Sequence, residues 1–182
     1  SECLVGSEMC IRDSVTLGPI IHNPNVVSDL EAKGVYSTEV DKVTKDQTVV
    51  IRSHGVGLDV YDKLAKVGAE VIDATCPFVA RIHKIAAEKS GEGYVILIAG
   101  DELHPEVMGI RGHCSGESYV FSSCDDFENL VKEKDFSSKK VAILAQTTYN
   151  KNMWRKCEEL FERYLPEAVV YNLSLIHISE PT

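Results

Sequence analysis

The stretch AEVIDATCPFVARIHKIA, Ala69 to Ala86, changes periodicity partway along. Val71, Ile72 and Ala74 belong to a short β-rich run, whereas Phe78, Val79, Ile82 and Ile85 recur at helical spacing. Pro77 suits the first position of a helix, where its missing N–H costs nothing. A strand therefore hands over to a helix, and Cys76 stands at the joint. That hand-over decides the fold, because it recurs along the chain.

Upstream, VTLG (15–18) reads as a strand and PIIHNP leads into a helix over Asn25–Lys33. Asn23 is its N-cap, Pro24 its first helical position, Gly34 its left-handed stop, and Val26, Val27 and Leu30 its apolar stripe. TVVIRS (48–53) is a buried strand, followed by HGVG and a helix through Tyr61, Leu64 and Val67 to Gly68. Downstream, YVILIAG (94–100), YVF (119–121), KVAILAQTT (140–148) and AVVYN (168–172) read as strands. Between them fall HPEVMGI (104–110) and helices over Asp126–Lys132 and Asn152–Tyr164. Strands alternating with helices call for a parallel sheet covered on both faces, an α/β architecture. Two successive units are expected, 15–90 and 91–172, with the boundary near Lys89–Gly93 and the first unit incomplete.

The 182 residues carry a net charge of −9, with 44% hydrophobic and 26% charged side chains. That balance fits a globular domain and argues against nucleic acid or an anionic membrane face as partner. No apolar run approaches the roughly 18 residues a membrane span needs. Six cysteines without close spacing point to a reduced, cytoplasmic protein rather than a disulfide framework. Cys114, Cys124 and Cys157 are expected to be small buried hydrophobes. GxGxxG, Walker, CxxC and HExxH patterns are absent.

The two ends differ from the rest. SECLVGSEMCIRDS (1–14) and LSLIHISEPT (173–182) lack periodicity and resemble translated sequencing-library adaptor. They are set aside as non-native, with Cys3, Cys10 and His177, and the chain is then expected to be a piece of a longer protein.

Three histidines share one local setting. IIHNPNVV, RSHGVGLDV and ELHPEVMGI each place a histidine after an apolar strand and before the first turn of a helix. In parallel sheets the ligand crevice lies beyond the carboxyl ends of the strands. Helix N-termini there present free N–H groups, which suit phosphate. His22, His54 and His104 are thus candidate ligands for a phosphate or diphosphate, with helix capping as the plainer role. Cys76 occupies the same strand-to-helix geometry, where a thiolate is favoured for a nucleophile or a soft metal. Glu106 is a candidate proton donor or a solvated first-turn carboxylate. Gln146, Thr147 and Thr148 end a strand, and a hydroxyl there could join a proton relay or cap the next helix. His83 reads as packing or surface; His113 has no readable role.

LGPIIHNPNVV, VVIRSHGV, VIDATCPFV, HPEVMGI and AQTTYN, in this order, resemble the 4-hydroxy-3-methylbut-2-enyl diphosphate reductase family, an iron–sulfur family of the non-mevalonate isoprenoid pathway. The likeness runs from about Val15 to Asn172. It implies a trefoil of three α/β units around a [4Fe–4S] cluster, each unit giving one cysteine, so this chain would hold two of the three. It implies reductive dehydroxylation of an allylic diphosphate to isopentenyl and dimethylallyl diphosphates, with electrons from ferredoxin or flavodoxin. By resemblance Cys76 is a cluster ligand, and His22, His54 and His104 face the diphosphate. Glu106 and Thr147 form the proton relay, with Thr147 also close to substrate. The other two cluster cysteines and the remaining diphosphate-pocket residues do not occur in the family's pattern here, so the chain alone is expected to be inactive. Rival readings are a mononuclear zinc hydrolase using His22, His54, His104 and Cys76, and a phosphate-binding module without chemistry.

Overall fold

The computed structural model describes residues 14–18, 28–29 and 31–171. His22, Asn23, Pro24 and most of the helix expected at 25–33 lie outside the described residues. Gly34 takes the positive φ expected of it, +83°, with its N–H on the Glu31 carbonyl.

The described chain divides into two compact units. The first holds a parallel sheet of β1 (Ser14–Leu17), β2 (Val35–Thr38), β3 (Thr48–Ile51) and β4 (Glu70–Asp73), in the order β2-β1-β3-β4. Helix α1 (Leu58–Val67) connects β3 to β4. Strand β2 was not expected. Its sequence, VYST, is exposed at Tyr36 and Ser37 and buried at no position, so no apolar run reveals it. Val49, Ile51 and Leu64 form the buried core of this unit, while β4 is an exposed edge.

The second unit repeats the topology. Its strands β5 (Val95–Ala99), β6 (Ser118–Phe121), β7 (Val141–Ala145) and β8 (Val169–Val170) are parallel, in the order β6-β5-β7-β8. VILIA and VAILA are buried at every position, as central strands covered on both faces must be. Helices α2 (Pro77–Gly91) and α3 (Pro105–Arg111) bury Ile82, Ala86, Val107 and Ile110 against one face. Helices α4 (Cys124–Glu133) and α5 (Lys151–Tyr164) cover the other face through Phe127, Trp154 and Phe161. Phe121, Phe127 and Phe161 meet edge to face, with ring centroids 4.8–5.9 Å apart. Ser123 caps α4 and Asn150 caps α5, each with a side-chain oxygen accepting first-turn N–H groups.

Helix α2, opening on Cys76, belongs with the second unit. So does the short segment His54–Leu58. The strand expected over 140–148 stops at Ala145, because Gln146–Tyr149 closes a turn with the Tyr149 N–H on the Gln146 carbonyl, 2.9 Å. Phe78 departs from the expected stripe and stands 43% exposed.

The cysteines require a correction. Cys114 is a free, half-buried thiol, but Cys124 and Cys157 form a disulfide with Cα atoms 5.1 Å apart. They lie 33 residues apart in sequence. Only the side-by-side packing of α4 and α5 brings them together, and spacing alone cannot show that. No described helix is long and apolar enough to cross a membrane.

Candidate functional site

At the carboxyl ends of β5 and β7, three backbone events set the site. Strand β5 ends at Ala99, His104 caps α3, and β7 gives way to the Gln146–Tyr149 turn. Pro105 opens the helix without a wasted N–H. Glu106 then falls in the first turn of α3, turned into the protein and only 1% exposed. The solvated role open to it from sequence is therefore excluded.

The carboxylate is gripped by one residue at both oxygens. The Thr147 N–H donates to Oε1 at 2.6 Å, and the Thr147 hydroxyl pairs with Oε2 at 2.8 Å. The two contacts are chemically unequal. A backbone N–H can only donate, so Oε1 must accept. At Oε2 the threonine hydroxyl donates to an ionised carboxylate and accepts from a protonated one, so this contact relays a proton when the hydroxyl hands on its own. Burial strengthens both contacts by excluding water.

His104 is joined to the backbone of the same residue. Its Nδ1 accepts the Glu106 N–H at 3.1 Å, so the neutral ring carries its proton on Nε2 and offers a donor there. His54 meets His104 edge on, with centroids 5.4 Å apart and planes at 75°. The structure thus brings together four of the candidates: His54, His104, Glu106 and Thr147. Behind them Gln146 is buried, its Oε1 accepting the Asp101 N–H and its Nε2 donating to Thr148 Oγ1. The neighbouring cavity, about 240 Å³ and lined by Gly100, Asp101, Ser122 and Thr148 among others, opens at these strand ends. A larger one, about 550 Å³, opens where β7 begins, near Val141 and Phe136. The strand-end cavity lies at the edge where parallel sheets bind ligands, but of the site residues only Gln146 and Thr148 line it, and His54, His104, Glu106 and Thr147 do not.

A second histidine pair was not foreseen. His83 of α2 is buried and stacks on His113, with centroids 4.1 Å apart. The His113 Nδ1 donates to the Gly109 carbonyl at 2.9 Å. In sequence His83 looks like one more position on an amphipathic helix, and only the packing of α2 on α3 gives it a place. Burial pushes the Cys114 thiol up to about 11. Burial, and then the Asp126 carboxylate, raise the Tyr149 phenol above its usual range.

Cys76 begins α2, with its carbonyl accepting the Ala80 N–H. Its thiol is free, half-exposed and not used as a helix cap. That suits one thiolate ligand of an iron–sulfur cluster. Among the described residues no three His, Cys, Asp or Glu side chains gather as a metal site. The described residues therefore fit one corner of a cluster and do not complete its ligand set, nor do they assemble a tetrahedral zinc site.

A parallel α/β unit of this kind, with a buried acid–hydroxyl pair and two histidines at its strand ends, places ionisable side chains where such sheets carry their sites. The chain belongs to the LytB protein family, whose family model matches residues 7–174. It is 42% identical over 160 residues to the 4-hydroxy-3-methylbut-2-enyl diphosphate reductase of Thermoanaerobacter sp. (strain X514), covering 86% of this chain and 54% of that one. It is 36% identical to the reductase of the same name from Aquifex aeolicus, with the same coverage. The chain spans about half the length of the curated relatives it matches. A solved structure of (E)-4-hydroxy-3-methyl-but-2-enyl diphosphate reductase, described as the terminal enzyme of the non-mevalonate pathway, superposes with a TM-score of 0.77 at 34% identity. That match covers 90% of this chain and 57% of the other. A Plasmodium falciparum reductase shares the fold at a TM-score of 0.79 and 24% identity, covering 89% of this chain and 50% of that one.

Proposed function

We propose that this chain is part of a 4-hydroxy-3-methylbut-2-enyl diphosphate reductase, acting in the reductive dehydroxylation of an allylic diphosphate to isopentenyl and dimethylallyl diphosphates. The observation that carries the reading is the Glu106–Thr147 pair, buried beside His104 in a chain whose relatives bear that name. Losing a hydroxyl as water and replacing it by hydrogen takes two electrons and two protons. Glu106 supplies the proton that leaves with the hydroxyl, relayed by Thr147 Oγ1, which hands on its own proton as it accepts that of Glu106. His104 and His54, with His22, bind the diphosphate. The neutral His104 of the structure offers an Nε2–H donor for that purpose.

When bound, a [4Fe–4S] cluster supplies electrons singly and a Lewis-acidic iron. Cys76 holds it by one thiolate, and its other ligands come from outside the described residues. Ferredoxin or flavodoxin delivers the electrons, and the protein works in the cytoplasm. On this reading the two described units are two of three in a trefoil. On the same reading a chain that spans about half the length of its relatives does not turn over by itself. Exposed apolar side chains such as Val169 and Val170 on the edge strand β8 suit a chain that packs against further protein.

The test uses the chain completed to the length of its relatives, reconstituted anaerobically with iron and sulfide. Wild type should reduce the substrate with reduced ferredoxin, and Glu106→Gln should lose at least about 100-fold in turnover, the usual scale for a general acid. Undiminished turnover in Glu106→Gln would refute the assignment of the acid. A colourless, zinc-loaded protein would refute the cluster.

A further inference from the structure

We propose that Cys124 and Cys157 form a reversible redox site, closed by exchange with a small disulfide of the glutathione class and opened by the corresponding thiol. Their Cα atoms are 5.1 Å apart, inside the range of roughly 4.4–6.8 Å that a disulfide spans. The two residues differ in access. Cys124, the first residue of α4, is partly buried, its Sγ 3.6 Å from the Met153 carbonyl oxygen, whereas Cys157 is completely buried within α5. Of the two only Cys124 retains any exposure, so an outside reagent meets Cys124 first and Cys157 reacts with its neighbour.

The exchange follows from that asymmetry. The Cys124 thiolate attacks one sulfur of the small disulfide, breaking its S–S bond and releasing one small thiol. The Cys157 sulfur then attacks Cys124 in the mixed disulfide, forming the internal bond and releasing the second. The two protons given up by the cysteines end on the two small thiols. One disulfide is consumed and one is formed, and the small disulfide is the oxidant throughout.

The compartment supplies the reason for reversibility, and this step rests on the function proposed above. A chain that keeps Cys76 reduced for iron belongs where small thiols hold cysteines reduced, and disulfides in such places respond to redox state. Closing the bond ties α4 to α5. Helix α5 starts at its Asn150 cap, directly after the turn that carries Thr147. The pair is thus placed to stiffen the element on which the partner of Glu106 rides.

The experiment equilibrates the 182-residue chain with graded mixtures of reduced and oxidised glutathione, quenches with acid, alkylates in denaturant and maps the peptides by mass. As the oxidised fraction rises, the Cys124 and Cys157 peptides should lose alkylation together and appear cross-linked, recovering on return to excess thiol. The thermal midpoint should rise by roughly 10 °C with closure. Cys157→Ser should instead trap a single glutathione on Cys124. Full alkylation of both residues in excess oxidised glutathione would overturn the proposal. So would a persistent glutathione adduct at Cys124 in the wild type, or a bond that native protein keeps in excess thiol. Peptide mapping on wild type decides the matter even if the variant fails to fold. It needs no turnover, so its outcome is independent of the reductase test.

Discussion

The same substitution should have opposite effects at two glycines of the second unit. Gly112 ends helix α3, with its N–H on the Met108 carbonyl and its own carbonyl accepting the Leu58 N–H at 3.1 Å. Its backbone is right-handed, φ −66° and ψ −10°, so alanine meets no conformational barrier there. Space forbids it: a Cβ would stand 2.5 Å from the Gly57 Cα. That atom is backbone and cannot swing aside as a side-chain tip could. Either the His54–Leu58 segment lifts away or α3 shifts. Overpacking of this kind costs about 1–3 kcal/mol, and loss of the Leu58–Gly112 hydrogen bond adds about 1 kcal/mol. Gly112→Ala should therefore destabilise the protein by about 2–4 kcal/mol. Gly91, the last residue of α2, has nothing within 4 Å of its would-be Cβ. Gly91→Ala should gain up to about 1 kcal/mol, the helix-propensity difference. Equilibrium urea unfolding measures both. If Gly112→Ala is as stable as wild type, or Gly91→Ala loses as much as Gly112→Ala, the close-packing argument is wrong. The consequence for the site is direct, because either the segment that carries His54 or the helix that His104 caps must move.

Thr147→Val removes the hydroxyl from Glu106 Oε2 while keeping shape and the backbone N–H, and it should cost about 1–3 kcal/mol, the range for leaving a buried polar group without its partner. Thr147→Ser should restore most of it, and urea midpoints for the pair would settle whether the hydroxyl or the methyl matters. In the first unit, burial and then the hydrogen bond to Asp73 push the Tyr61 phenol up to about 12 from its ordinary 10.0. A raised pKa means the fold prefers the neutral phenol. This contribution is therefore complete below pH 10 and disappears as pH climbs towards 12. Asp73→Asn should bring the phenolate absorbance titration partway back towards 10, not all the way, because burial is the larger cause.

Much of this was legible because periodicity and punctuation agree. VILIA and VAILA are too continuously apolar to be surface strands, and Pro77 and Pro105 mark helix starts that the structure reproduces. The histidines at strand ends could be grouped by their common setting, and His54 and His104 do meet. What stayed hidden depends on contacts between distant residues. Strand β2 is recruited by pairing with β1 rather than by its own apolar content. The Cys124–Cys157 bond depends on how α4 packs on α5, and the His83–His113 stack on how α2 meets the end of α3. For Glu106, sequence offers the proton donor but favours the solvated first-turn carboxylate as the commoner case, because which way a first-turn side chain points is settled by what packs over it.

The two units repeat one strand order but do not share the site equally. His54, Cys76, His104, Glu106 and Thr147 all fall in the second unit, although the segment carrying His54 follows a strand of the first. The chain leaves β3, places five residues with the second unit, and only then begins the bulk of α1. Such an excursion gives up regular pairing for 54–58, so the backbone must be satisfied elsewhere. The Leu58 N–H finds the Gly112 carbonyl, and glycine at 57 and 112 lets the two backbones approach closely enough for that bond to form. The geometry of the histidine pair is thus set by side chains that are not there. Two glycines hold the His54 segment against the helix that His104 caps, and the buried carboxylate of that same helix closes the array through Thr147.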